Sequence, residues 1–332
     1  MERREILRGL ALATTAGLVG RRAEPAAAEP PPETRRLRVA NAGAICIAPL
    51  LVAQELFPSE GFTDVSYVDF EGSPEAVRAL AAGEVDVYLV FIGPVILRID
   101  AGDPIVVLAG VHPGCFELFG SDRVRTIRDL KGKTVAVRAL GSAPHVFISS
   151  IATYVGLNPR KDINWVTHPR GESMRLLSEG KIDAYMAFPP DAQEMRARRI
   201  GHVVVNSAVD RPWSQYFCCL LASNREFVQR HPVAAKRMTR AVIKAAGVCA
   251  GEPERVARFL VDRRWSGNYE YGLKTLRELS YTKWDQYDPE DAMRFYALRL
   301  HEAGMIKSTP QKIIERGTDW RFLNALKKEL KG

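Results

Sequence analysis

Ser142, Ala143 and His145 stand where a β-branched run, 134–137, passes through a small-residue turn into Phe147, Ile148, Ile151 and Val155 at helical spacing. Ser142 falls at the N-cap, and Pro144 sits near the first helical position, where a missing N–H costs nothing. Such a junction aims unpaired backbone N–H groups and the positive end of a helix dipole outward. The chemistry it supports is noncovalent capture of an anion. The other chemistry-bearing residues form no set. Six His are dispersed without i,i+4 pairing, and the chain contains no G-x-S-x-G, no H-E-x-x-H, no Walker loop and no G-x-G-x-x-G after a strand. No catalytic residue, metal ligand or cofactor is assigned, and the chain reads as a non-enzyme. Of the five Cys, Cys46, Cys115, Cys218, Cys219 and Cys249, none forms a C-x-x-C pair, and the odd number leaves a thiol unpaired. Adjacent Cys218 and Cys219 point to opposite faces of a strand. Small buried hydrophobes is the reading for most of them.

The strand–turn–helix junction has an echo. A run at 37–39 leads through a Gly43 loop to a helix opening at Ala48-Pro49, and Ala143-Pro144 repeats that pair 95 residues later. More strongly, AVRALAAGEVDVYLVF at 76–91 matches SMRLLSEGKIDAYMAF at 173–188 at a constant offset of 97. Two copies at so long a period mean two lobes of one plan rather than a solenoid. Asp86 and Asp183 recur within it, each opening a strand after a helix–Gly turn, and read as capping or turn residues.

The spacing predicts strands at 37–43, 64–70, 85–90 and 105–111 alternating with helices at 48–57, 73–82 and 93–101. The second lobe repeats this, with strands at 134–137, 163–166, 182–187 and 202–205 and helices ending near 156, at 172–179 and at 192–199. Apolar runs at 115–120 and 213–222 are expected to cross between lobes, and the chain from 224 is expected to be helical, closing with one helix over 308–330. The fold class is α/β: two lobes, each a mostly parallel sheet flanked by helices, joined by two crossing strands, with a helical C-terminal segment. Residues 37–122 plus 222–332 are assigned to lobe 1 and 123–221 to lobe 2.

Ligands of parallel sheets bind beyond the carboxyl ends of the strands. Those loops carry Ala44, Cys46, Ser73, Phe91, Gly93 and Pro94 in the first lobe, and Ser142, Ala143, His145, Arg170, Phe188 and Pro189 in the second. These twelve are the expected ligand-binding residues. Small residues let backbone N–H groups approach, the Phe pair flanks the ligand, and Arg170 offers a counter-charge.

A length of 332 residues, 46% hydrophobic and 26% charged, accommodates two soluble globular domains. A formal charge of +8 without a basic run or interleaved aromatics gives no nucleic-acid signature and favours a small anionic ligand. Arg3-Arg4-Glu5-Ile6-Leu7-Arg8, an apolar segment at 10–20 and Ala26-Ala27-Ala28 predict a twin-arginine-type signal peptide over 1–28, cleaved near Ala28. Its removal takes away five Arg and three Glu, lowering the charge by two. The Pro-rich stretch 29–36 is expected to be a disordered spacer, and no other run is long enough to span a membrane.

The motifs APLLVA at 48–53, LAAGEVDV at 80–87, DLKGKTVAV at 129–137, GSAPH at 141–145 and GKIDAYMA at 180–187 before Phe188-Pro189-Pro190 occur together. In this combination, over roughly 37–260, the chain resembles the periplasmic substrate-binding proteins of ABC importers, in the nitrate/sulfonate/taurine group. The resemblance implies a type II periplasmic-binding-protein fold, a small solute such as an aliphatic sulfonate, taurine-like molecule or carboxylate, a monomer, and delivery to an ABC permease with its ATPase. A related branch, the thiamine-pyrimidine synthases, carries a Cys-rich motif and an active-site His; here only Cys218-Cys219 occurs. Phe188-Pro189-Pro190 departs from the Trp-acidic-Pro-aromatic pattern common in the group. A pyrimidine-binding or synthase-like protein and a ligand sensor coupled to a receptor remain the alternatives.

Overall fold

The computed structural model describes residues 29–330; the expected signal peptide lies outside them. Ten strands form two five-stranded sheets. The first contains β1 (Arg36–Asn41), β2 (Asp64–Asp69), β3 (Val87–Phe91) and β4 (Ile105–Pro113). The second contains β5 (Glu117–Gly120), β6 (Lys133–Val137), β7 (Ile163–Thr167), β8 (Ala184–Ala187) and β9 (His202–Asn206). The tenth, β10 (Phe217–Asn224), returns to the first sheet. The orders are β2-β1-β3-β10-β4 and β7-β6-β8-β5-β9. Four strands of each sheet run in the same direction, and the fifth, β10 or β5, lies antiparallel between two of them in equivalent inner positions. Each lobe thus receives one inner strand through a connection that leaves the other lobe.

Both expected crossings occur, and each run continues as a strand of the lobe it enters. The run at 115–120 supplies β5 to the second sheet, and the run at 213–222 supplies most of β10 to the first. The connections themselves are shorter, 114–116 and 207–216, and they lie against each other. Ser207 Oγ accepts hydrogen bonds from the N–H groups of Cys115 (3.1 Å) and Phe116 (2.8 Å). Gly114, at φ +48°, packs so closely on the backbone of Ser207 and Ala208 that a side chain would collide with it. An apolar strand buried on both faces carries no mark of which sheet it will enter, so the pattern located the strands but not their partners.

Helices cover the sheets: α1 (Ala48–Val52), α2 (Ser73–Ala81) and α3 (Ile92–Asp100) in the first lobe, and α4 (Ala143–Tyr154), α5 (Arg170–Ser178) and α6 (Asp191–Arg198) in the second. The C-terminal segment supplies α7 (Arg225–Arg230), α8 (Pro232–Gly251), α9 (Pro253–Asp262), α10 (Tyr269–Glu278), α11 (Pro289–Glu302), α12 (Pro310–Gly317) and α13 (Arg321–Glu329). The helix expected over 48–57 stops at Val52 and continues as tight 3-10 turns through Pro58, which cannot donate to a regular helix. The helix expected over 308–330 is broken because Thr318 bridges to Val107, and Asp319 N–H donates to the Val107 carbonyl at 2.9 Å. The expected disordered spacer is also corrected from Pro31 onward. Glu33 accepts from the N–H groups of Val233 and Ala234, both at 2.9 Å, as an anion at the α8 N-terminus.

The internal repeat has a physical basis. Asp86 accepts from the Arg38 N–H (2.7 Å) and pairs with the Arg38 guanidinium, while Asp183 accepts from the Thr134 N–H (2.8 Å) and pairs with Arg123. Each Asp N–H donates back to the carbonyl of Arg38 or Thr134 at 2.8 Å. Both carboxylates therefore lock equivalent strands together, away from the inter-lobe cavity.

Candidate functional site

The halves meet around an aromatic knot. Phe91 of β3 packs edge-on to Phe116 (5.2 Å) and Tyr296 (4.9 Å), and Phe116 stacks on Phe147 of α4 (4.9 Å). Beside it, α3 and α4 approach so closely that a Cβ on Gly93 would stand 2.5 Å from Val146 and 2.6 Å from the Phe91 ring. Two hydrogen bonds cross the cleft: Ala143 N–H donates to Ser73 Oγ (3.1 Å), and Ile45 N–H donates to the Pro189 carbonyl (3.3 Å). Farther out, Gln193 and Arg196 of α6 donate to Glu278 of α10 at 3.0 and 2.5 Å, and Arg160 donates to the Gly304 carbonyl at 2.7 Å. The cleft is closed.

Between the lobes lies a cavity of about 170 Å³, open at its rim and far above the ~10–15 Å³ a single water needs. The α2 N-terminus (Gly72, Ser73, Pro74) opens on it from the first lobe, and the α4 N-terminus (Ser142, Ala143, Pro144) from the second. Ser142 Oγ is buried without a hydrogen-bond partner. Burial pushes the Tyr88 phenol far up, so its hydroxyl stays protonated on the cavity wall. Exposed Arg138 and Glu71 stand at the rim, and Arg138 has no ion pair among the described residues. Phe91, Phe116, Phe188 and Ala42 supply apolar wall.

Of the twelve expected residues, Ala44, Cys46, Ser73, Phe91, Ser142, Ala143 and Phe188 line the cavity, and five do not. Gly93 and Pro94 sit behind the wall in the first turn of α3, where Gly93 serves close helix contact. His145 turns back: its Nδ1 accepts from Gly141 N–H (3.0 Å) and its ring packs on Trp165 (4.7 Å). Burial lowers its pKa to about 4, so it is neutral. Arg170 is engaged by buried Asp191 through two hydrogen bonds, Nε at 2.8 Å, and lies 5.9 Å over the Phe188 ring. It therefore positions a wall instead of offering free charge. Pro189 contributes its carbonyl to closure. Tyr88, Arg138, Phe116, Cys115 and Cys219 were not anticipated. Arg138 directly follows β6, so the rule of strand carboxyl ends contained it, and Tyr88 lies inside the repeated block.

All five Cys are buried and unpaired. Cys46, Cys115 and Cys219 line the cavity with their Sγ atoms within 4.8 Å of one another. Cys218 comes to 2.9 Å from Cys115, so the neighbouring pair serves one cluster despite alternating faces. Thiols of Cys115, Cys218 and Cys46 that donate to Cys219, with His112 beside it, hold Cys219 well below the ordinary thiol range against the opposing effect of burial.

A family model described as the NMT1-like family matches residues 30–260, more than half of the chain. The chain belongs to the NMT1-like family. This NMT1-like chain is similar in fold to the alkanesulfonate-binding protein SsuA from Xanthomonas axonopodis pv. citri bound to MOPS, at 18% identity over 85% of this chain and 96% of that one, TM-score 0.68. It is similar to the periplasmic nitrate-binding protein NrtA from Synechocystis PCC 6803, at 15% identity over 91% and 90%, TM-score 0.74. It is likewise similar to the periplasmic aliphatic sulphonate binding protein SsuA from Escherichia coli, at 18% identity over 85% and 96%, TM-score 0.66. No curated protein sequence matches it. The fold is the periplasmic-binding-protein fold, and no helix among the described residues is long and apolar enough to cross a membrane.

Proposed function

We propose that the protein captures a small organic anion between its lobes and delivers it to an ABC permease and its ATPase. One observation carries this reading: the N-termini of α2 and α4, one from each lobe, converge on the inter-lobe cavity beside a Ser142 hydroxyl that has no hydrogen-bond partner among the described residues. The anionic head of the ligand sits between those helix ends, Ser142 and Tyr88 donate to it, and Phe91, Phe116 and Phe188 hold its apolar part. Arg138 guards the rim as the counter-charge expected of Arg170. Binding consists of closure, a hinge motion about 114–116 and 207–216 stabilised by contacts from both lobes. Anion binding by SsuA and NrtA, as their names state, supports the ligand class. Export by a twin-arginine signal at 1–28 places this capture in the periplasm, and amino-terminal sequencing of secreted protein near Glu29 checks it.

Thermal-shift screening of the chain from Glu29 against sulfonates, carboxylates, nitrate and pyrimidines tests the reading, since a ligand of the native state raises its stability. An alkanesulfonate or carboxylate is expected to raise Tm, and Ser142→Ala and Arg138→Ala to reduce the rise. A shift from neutral pyrimidines alone, or an undiminished shift in both variants, defeats it.

A further inference from the structure

On the cavity floor, the turn after β1, the first inter-lobe connection and β10 each deliver a cysteine to one point. We propose that Cys46, Cys115 and Cys219 bind one thiophilic d10 metal ion, Zn²⁺ or Cu⁺, as thiolates, with an open coordination position facing the cavity. Three thiolates around one ion at a bond length of about 2.3 Å stand about 3.8 Å apart in a tetrahedral site and about 4.0 Å apart in a trigonal one. Cys115 and Cys219 are 4.0 Å apart, and all three Sγ atoms fall within 4.8 Å of one another. The donors are preplaced on separate, fully packed segments and reach the cavity, which supplies the entry path.

A second observation points the same way. His112 is wholly buried opposite Cys219, and its Nδ1 donates to the Pro113 carbonyl at 3.1 Å, which fixes the ring as an outer partner of the Cys219 sulfur. Cys218, 2.9 Å from Cys115, is nearer than two ligands of one ion can stand, which excludes it as a further ligand alongside Cys115. Binding breaks three S–H bonds and forms three metal–sulfur bonds, and the three protons leave for solvent. No oxidant or reductant takes part. The filled trio carries one net negative charge with Zn²⁺ and two with Cu⁺.

Titration of the chain from Glu29, reduced and handled without oxygen, tests the site with the metal alone, so its outcome is independent of the organic ligand. Co²⁺, as a probe for Zn²⁺, is expected to give a thiolate-to-metal charge-transfer band saturating at one ion per chain and abolished by one equivalent of Zn²⁺. Cu⁺ is tested in parallel; binding of either ion supports the site, Zn²⁺ specifying four-coordination and Cu⁺ alone a trigonal one. Cys46→Ser, Cys115→Ser and Cys219→Ser should each lose the ion, while Cys218→Ser and Cys249→Ser keep it. Should a variant unfold by circular dichroism, X-ray absorption of the loaded wild-type chain counts the sulfur ligands directly, with three expected. Absence of binding by both ions, binding retained in Cys219→Ser, fewer than three sulfur ligands, or a Cys115–Cys218 disulfide in the exported protein that blocks loading would overturn the proposal.

Discussion

The Ser73 hydroxyl accepts a hydrogen bond from the Ala143 N–H across the cleft, at 3.1 Å. One helix N-terminal residue thus satisfies the first amide of the opposing helix, so the two lobes are joined at the point where both helix dipoles meet the cavity. Removing the acceptor leaves that amide partly unsatisfied and costs on the order of 1 kcal/mol of closed state. Ser73→Ala is accordingly expected to weaken ligand affinity about five- to tenfold by calorimetry, mostly through faster release. An unaltered Kd would mean that this bond does not hold the cleft.

Close approach of α3 and α4 depends on a missing side chain. A Cβ at Gly93 would fall 2.5 Å from Val146 and 2.6 Å from Phe91, where the aromatic knot leaves little room to yield. Overpacking of this kind costs about 1–3 kcal/mol. Because the shortest of these contacts, to Val146, lies between lobes, Gly93→Ala should prop the cleft open, with a larger radius of gyration in small-angle scattering and at least tenfold weaker binding. Loss of global stability with unchanged affinity would place the strain inside one lobe instead.

At the far edge, Glu278 receives Arg196 and Gln193 from the opposite lobe. The pair is about a third exposed, so its contribution is at most about 1 kcal/mol and falls with salt. Glu278→Gln should speed ligand release by a few fold at low ionic strength and by less at high salt, as read by stopped-flow fluorescence. A release rate that is equally salt-sensitive in the variant would remove this latch from the closing mechanism.

The pH dependence of stability follows from His145. Its pKa is lowered to about 4 from the ordinary 6.5 by burial, so between these values the unfolded chain binds a proton that the folded chain refuses. Its contribution is intact above pH 6.5, declines as pH falls toward 4, and is constant below. The total lost is on the order of 1–2 kcal/mol after allowing for partial exposure. His145→Gln should flatten that part of the urea-stability profile; a profile parallel to wild type through this window contradicts the assignment.

Periodicity alone determined most of what is local. Alternating strand and helix signals, the offset-97 repeat and the proline-bearing N-termini at Ser73 and Ser142 specified two α/β lobes and the ends of them that meet at the inter-lobe cavity. Those features depend on neighbours within a few residues, which is the range over which backbone sterics and amphipathic spacing act. Exchange of β5 and β10 between lobes, the engagement of Arg170 by Asp191 and the inward turn of His145 toward Gly141 were decided only by tertiary packing. So was the meeting of Cys46, Cys115 and Cys219, whose chain separations of 69 and 104 residues show no spacing rule. A side chain's partner is chosen by which buried group most needs compensation once the sheets have closed, and that need does not exist until the chain has folded.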